Sequence, residues 1–196
     1  MLVDKSVRDL LTAFSSSDPT PGGGSAAALA SSVGASLLLM VASLPRTRTN
    51  ADDERLALKA AAAVITGLRH QLTEAIDADT KAYDQVVAAY KLPKATPEDQ
   101  QARKTAIQAA LRVATDVPLS VMRLSAQAHA QAAVVAANGL AGAASDVGVA
   151  CALLIAGATG AKLNVEINLG SVSDAAYVDA VRAEVSALSN QLNLAA

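Results

Sequence analysis

Five polar residues stand in apolar or turn surroundings where a proton could be moved or a polar ligand held: Asp79, Lys94, Asp146, Asn164 and Asn168. Burial raises a carboxyl pKa and lowers that of a lysine, so groups of this kind can exchange protons near neutral pH. Each also has a plain structural alternative. Asp79 would serve as a buried partner for another helix, Lys94 as a solvated loop charge, Asp146 as a charge at a helix start, and the asparagines as hydrogen-bonders at a helix end. The stretch Pro19-Thr20-Pro21-Gly22-Gly23-Gly24-Ser25 is of a different kind. Its prolines fix φ, its glycines admit backbone that other residues avoid, and Ser25 is placed to cap a helix by accepting from an orphan N–H. Such a turn delivers main-chain amides to a helix N-terminus, which suits an anionic or flat polar ligand and equally suits close packing on a neighbour.

Two weaker candidates accompany these. Arg46 and Arg48 form a short basic link, which is either solvated or suited to a ligand with carboxylates. Tyr83 and Tyr90 share one helical stripe and would pack in a core or against a flat ring. Other chemistries find little support. No G-K-[ST] follows the glycines, His70 and His129 lie in unrelated segments without a ligand cluster, and there is no G-x-S-x-G elbow. Cys151 stands alone in an apolar run, where it fills space.

The elements that must position these residues are helices. Aromatic residues make up 2% of the 196, Trp is absent and alanine saturates the chain, so the composition predicts an all-α, Ala-rich helical bundle in a single domain over residues 1–196. The net charge of −2 gives no reason to expect a nucleic-acid partner. The residues Met1 to Leu10 do not read as a signal peptide, and a cytoplasmic protein is expected. Ser25 to Leu44 carries no charge and is long enough to span a membrane, but its five serines and lack of flanking Trp or Tyr favour a buried helix in a soluble bundle.

In chain order, Ser6 to Phe14 reads as a short amphipathic helix, and Asp52 to about Tyr90 as one long helix of ~60 Å. Its apolar stripe is followed through Ala60, Val64, Leu68, Leu72, Ala75, Tyr83, Val86 and Tyr90, with Asp79 on the stripe and Asp77 and Asp84 off it, free to be solvated. Thr96-Pro97 opens a helix that runs to about Thr115, and Pro118 either kinks it or separates it from a second one over Leu119 to Ala137. Ser145 is a cap for an apolar segment that Gly160 ends. Lys162 to Asn168 alternates as a strand would, yet the helical context favours a helix with Asn164 and Asn168 on one face. Asp174 to Leu194 is the final helix.

Six motifs in sequence carry a family likeness: the turn at 19–25, Asp79 with Ala82-Tyr83, Leu92-Pro93-Lys94, Ala114-Thr115-Asp116-Val117-Pro118-Leu119, Ser145-Asp146-Val147-Gly148-Val149-Ala150, and Leu163-Asn164-Val165-Glu166-Ile167-Asn168-Leu169. Together they resemble the cyclodeaminase/cyclohydrolase family, which includes the cyclodeaminase domain of formiminotransferase-cyclodeaminase and free-standing methenyltetrahydrofolate cyclohydrolases. The resemblance implies an all-helical homodimer that acts on a tetrahydrofolate derivative carrying a one-carbon unit, with neither metal nor cofactor. It also implies roles. Asp79 removes a proton or orients the attacking group, Lys94 assists nitrogen departure, and Asp146 holds the pterin with the glycine turn. The substrate-binding set becomes Pro21, Gly22, Gly23, Gly24, Ser25, Arg46, Arg48, Tyr83, Ser145, Asn164 and Asn168, with the two arginines meeting the glutamate tail.

The chain departs from the pattern of the family it resembles at Pro45 to Thr49, where members commonly carry a lysine-rich segment, and at Gly139-Leu140, where they commonly carry Gly-Asn. With no formiminotransferase domain in the sequence, hydrolysis of 5,10-methenyltetrahydrofolate is the expected reaction. Formimidoyltetrahydrofolate cyclodeamination and an inactive folate-binding or structural dimer are the alternatives.

Overall fold

A computed structural model describes residues 1–194. Among them six α-helices follow one another: α1 Val7–Phe14, α2 Gly23–Ala42, α3 Asp52–Tyr90, α4 Pro97–Asn138, α5 Ala144–Leu169 and α6 Ala175–Leu192. Single 3-10 turns lie at Leu2–Asp4 and Ala141–Ala143. The all-α expectation holds: no strand occurs among the described residues, and one isolated antiparallel bridge joins Thr47 to Gly139.

The helices start and stop where local chemistry dictates. Ser6 caps α1 by accepting from the Asp9 N–H at 3.1 Å. The long helix α3 has the predicted bounds, opening on Asp52, Asp53 and Glu54, which favour the positive end of the dipole. Thr96 and Asp99 exchange hydrogen bonds at 3.1 and 3.2 Å to form a capping box, and Pro97 occupies the first turn of α4. Asp174 caps α6 by accepting from the Tyr177 N–H at 3.0 Å.

Several boundaries differ from the sequence expectation. Pro118 neither ends α4 nor divides it, for the helix is continuous over 42 residues. A proline has no N–H for the carbonyl four residues back, and here the Ala114 carbonyl accepts instead from Asn168 Nδ2 at 2.7 Å. Gly160 does not end α5, which continues to Leu169 and takes Lys162 to Asn168 with it as helix. Glycine is there for proximity. A Cβ at Gly157 would lie 2.0 Å from Ser31 Oγ and 2.7 Å from the Ala27 carbonyl, and one at Gly34 would lie 2.8 Å from the Ala150 carbonyl. Ser145 falls inside the first turn of α5 and is not its cap.

The uncharged α2 lies among α3, α4 and α5. Its Ala28, Ala35 and Leu38 are fully enclosed, in one core with Ile65, Leu72, Met122 and Leu154. By length and composition α2 and the segment Ala141–Leu169 could each cross a membrane; in the fold, α2 is the interior helix and α5 its close neighbour. On α3 the buried stripe runs through Leu58, Ala61, Ile65, Leu68, Leu72 and Ala75, so Ala60 and Val64 face outward, and Tyr83 and Tyr90 are exposed. Asp84 is exposed as expected. Asp77 is not: it is buried, and it accepts from the Leu2 N–H at 2.6 Å and the Val3 N–H at 3.5 Å, which docks the first residues on α3.

One substitution at two glycines separates proximity from propensity. Gly157→Ala is expected to destabilise by about 1–3 kcal/mol through overpacking. Gly67 lies in the interior of α3, and a Cβ added there would meet nothing within 4 Å. The same change at Gly67 is expected to stabilise by about 0.5–1 kcal/mol. Thermal unfolding followed by circular dichroism measures both, and shifts of equal sign would contradict this account of the α2–α5 contact.

Candidate functional site

The turn at residues 19–25 brings α2 onto α3 at Asp79. Gly22 is the N-cap of α2 and offers no side chain, so the first turn of that helix has orphan N–H groups. Asp79 supplies the acceptor: the Ser25 N–H donates to its Oδ2 at 2.8 Å. Ser25 therefore does not cap the helix with its own oxygen. Its hydroxyl donates to the Ile76 carbonyl at 2.8 Å and lies 3.1 Å from the same Asp79 oxygen. The approach requires glycine, because a Cβ at Gly24 would fall 2.0 Å from Asp79 Oδ1. Burial pushes the Asp79 carboxyl above its ordinary value, and the two bonds from Ser25 pull it back without cancelling that rise.

A cavity of about 260 Å³ opens above this contact. The turn contributes Thr20 and Gly22 to Gly24, α3 contributes Asp79, Tyr83 and Val86, α4 contributes Leu111 and Ala114, and α5 contributes Asn164 and Asn168. Pro21, whose peptide bond with Thr20 is cis, lies within the same turn. Asn164 Nδ2 donates to the Gly160 carbonyl at 2.8 Å, and a Cβ at Gly23 would meet that amide at 3.3 Å. Seven residues singled out in the sequence thus share one pocket, Gly22, Gly23, Gly24, Asp79, Tyr83, Asn164 and Asn168, with Ser25 beneath it.

The remaining candidates lie elsewhere. Lys94 is exposed in the α3–α4 link, beyond the end of α3 and so more than about 16 Å along the helix from Asp79. Ser145 and Asp146 open α5, whose other end carries Asn164; the separation is about 27 Å along the axis. Arg46 and Arg48 follow the far end of α2. There the Arg48 N–H donates to the Asn138 carbonyl at 2.9 Å, and its guanidinium donates to the Ala136 carbonyl. Within one chain, Asp79 and Asp146 belong to opposite ends of the bundle.

Sequence reasoning missed the residue that organises this second end. Glu54 accepts from Thr47 Oγ1 at 2.6 Å, from the Thr49 N–H at 2.9 Å and from Thr49 Oγ1 at 2.9 Å. These bonds, the Thr47 hydroxyl foremost, hold its carboxyl down at about 2, so the arginine link is pinned to α3 by a carboxylate that stays ionised. Its place in an acidic helix start concealed that role. Leu111 was also missed, being an ordinary residue whose place in the pocket depends on packing, while Thr20 and Ala114 stood inside quoted motifs without a site role of their own. A larger hollow of about 530 Å³ between α5 and α6, lined in part by Lys162, Glu166 and Arg182, holds none of the candidates. No group of three or more His, Cys, Asp or Glu side chains converges among the described residues. Burial pushes the half-buried Cys151 thiol up, away from reactive thiolate.

A sequence model of the formiminotransferase-cyclodeaminase family matches residues 6–187. The chain belongs to this family. A methenyltetrahydrofolate cyclohydrolase from Methylorubrum extorquens is 38% identical over 91% of the chain and 86% of its own length. Formimidoyltransferase-cyclodeaminases from rat and pig are 32% and 33% identical over 95% of the chain, which spans 35% of the length of each. The family fold is also seen in the crystal structure of formiminotetrahydrofolate cyclodeaminase from Thermotoga maritima, with a TM-score of 0.86 over 98% of this chain and 92% of that one, at 24% identity.

Because burial raises the folded-state pKa of Asp79, the ionised group subtracts from stability. The protonated form contributes fully below the unfolded-state pKa, and that contribution is lost as pH rises through the raised folded value. Asp79→Asn keeps an acceptor for the Ser25 N–H without a charge. Its Tm is expected to match the unsubstituted protein near pH 3–4 and to exceed it at neutral pH. Unfolding curves across that range test this, and a deficit growing with pH would show that the charge stabilises the fold.

Proposed function

We propose that this protein hydrolyses 5,10-methenyltetrahydrofolate to 10-formyltetrahydrofolate in the cytoplasm, as a homodimer, by metal-free acid–base chemistry centred on Asp79. The carrying observation is the carboxyl group itself: half-buried, its pKa raised, held at a helix N-terminus and facing a cavity with two asparagines. The 38% identical cyclohydrolase, matched over most of both chains, supports this choice of reaction. Its chemistry asks for one group that takes a proton and returns it. Water adds to the electrophilic methenyl carbon while Asp79 accepts a water proton. The bond from that carbon to N5 then breaks, N5 takes the proton back, and the new hydroxyl releases its own proton as the formyl carbonyl forms. A carboxyl whose pKa is shifted toward neutrality serves both directions.

A second copy supplies what the pocket lacks. Along α2, Val33 and Met40 are exposed, and along α5, Val149, Leu163 and Ile167 are, the last at 74%. These apolar stripes follow helical spacing, and α5 carries no charge from Val147 to Ala161. An antiparallel two-fold pairing centred near residue 156 would bring the Ser145-Asp146 end of one copy level with the Asn164–Asn168 end of the other. Asp146 would then help to hold the pterin, and Arg46 and Arg48, held by Glu54, would meet the glutamate tail. Lys94 is left outside this arrangement.

Cyclodeamination is the second reading, supported by the formimidoyltransferase-cyclodeaminases that match 95% of the chain. Loss of the absorbance of 5,10-methenyltetrahydrofolate on adding the protein tests the first reading, and ammonia release from the formimino substrate tests the second; silence in both, with folate still bound in calorimetry, would mean a binding protein. Asp79→Asn is expected to lower kcat by at least about a hundredfold. Co-refolding Asp79→Asn with Asp146→Asn is expected to restore about a quarter of the original activity, since half of the dimers then carry one intact site. No recovery would reject the shared site.

A further inference from the structure

We infer that Pro118 sets the hydrogen-bonding polarity of the pocket: by withholding an N–H from the Ala114 carbonyl it turns the Asn168 amide nitrogen onto the main chain, so that Asn168, with Asn164, offers carbonyl oxygen to the ligand. Pro118 is fully buried inside α4, where a proline is costly and breaks one helical hydrogen bond. The carbonyl released is that of Ala114, itself a wall of the Asp79 cavity. A carbonyl oxygen only accepts, so the 2.7 Å contact from Asn168 fixes which end of its amide faces α4. Asn164 is committed in the same sense through the Gly160 carbonyl at 2.8 Å. Among the described residues no protein donor reaches the Oδ1 atom of either asparagine.

The two asparagines are one helical turn apart on α5, and both line the cavity that Asp79 closes. The α5 wall therefore offers acceptors, and the ligand edge that suits it presents adjacent N–H donors. The identity of that edge rests on the proposed folate substrate, whose aminopyrimidinone ring carries a ring N–H beside an exocyclic amino group. The reacting one-carbon unit lies at the other side of the pterin, so this pairing fixes the ring's orientation. Pro118 touches no ligand and acts as a positioning residue.

The experiment is Pro118→Ala, read in three ways. Restoring the N–H lets the helix reclaim the Ala114 carbonyl, so Tm should rise, whereas a purely structural proline would give a fall. In the ligand-free protein, the Asn168 side-chain NH2 resonances, assigned by their loss in Asn168→Ala, should shift upfield and exchange faster with solvent once their acceptor is shared. The KM for 5,10-methenyltetrahydrofolate should rise about three- to tenfold, the value of one neutral hydrogen bond, with kcat within twofold. In an Asn168→Ala background the substitution should leave KM unchanged, because its effect passes through that amide. Unaltered Asn168 amide resonances, or an equal KM effect with and without Asn168, would overturn the inference. Failure of the unsubstituted protein to bind or turn over any reduced folate would instead reject the assigned substrate, and the amide measurement, which needs no ligand, would still decide the role of Pro118.

Discussion

The carboxylate of Asp79 at the open end of α2 is the contact on which the rest of the structure depends. A helix N-terminus without a side-chain cap has unsatisfied donors, and a carboxyl group taken out of water has unsatisfied acceptors. Each solves the other's problem across 54 residues of sequence. The solution is incomplete: the Ser25 bonds lower the pKa, burial raises it further, and the net group is a weaker acid than an exposed aspartate. The same contact fixes the height of α2 against α3, and the glycines at 34 and 157 then let α5 settle on α2. Structural fit and acid–base readiness come from one bond.

Much of this was legible in the chain and some was not. Local chemistry marked the ends of α1, α3 and α6 and the start of α4 to within a residue or two, because caps, prolines and acidic first turns act over four residues. The all-helical class followed from alanine content and the scarcity of aromatics. Asp79 stood out because a charge on an apolar stripe needs a reason. Reading failed where a residue's neighbour is remote in sequence. Gly160 looks like a helix end unless α2 is known to press on that side of α5. Pro118 looks like a break unless Asn168 is known to take up the stranded carbonyl. Asp77 looks solvated until the first residues of the chain fold back onto it. The α3 stripe slipped by one position at both ends, where Ala61, Ile65, Ala82 and Ala89 are buried in place of Ala60, Val64, Tyr83 and Tyr90, because a run rich in alanine leaves the inward side undetermined.

The polar residues sort into two groups by position along the bundle. Near one end lie the glycine turn, Asp79 and the two asparagines; near the other lie the arginine link, Glu54 and the start of α5. Helices of 20 and 26 residues separate them, so a ligand spanning both within one chain would need to be about 27 Å long. In the proposed dimer the exposed apolar stripes of α2 and α5 would be covered, and a two-fold neighbour would bring the two ends together.

The interior position of α2 also bears on biosynthesis. Its 20 uncharged residues end at Ala42, yet α5, which covers one side of it, begins only at Ala144. At translation rates of about 5–20 residues per second, roughly 5–20 s pass with an oily segment awaiting its cover. Exposed apolar surface of this kind is prone to aggregate, and the serines spaced among the alanines of α2 make it less apolar while it waits for its partner.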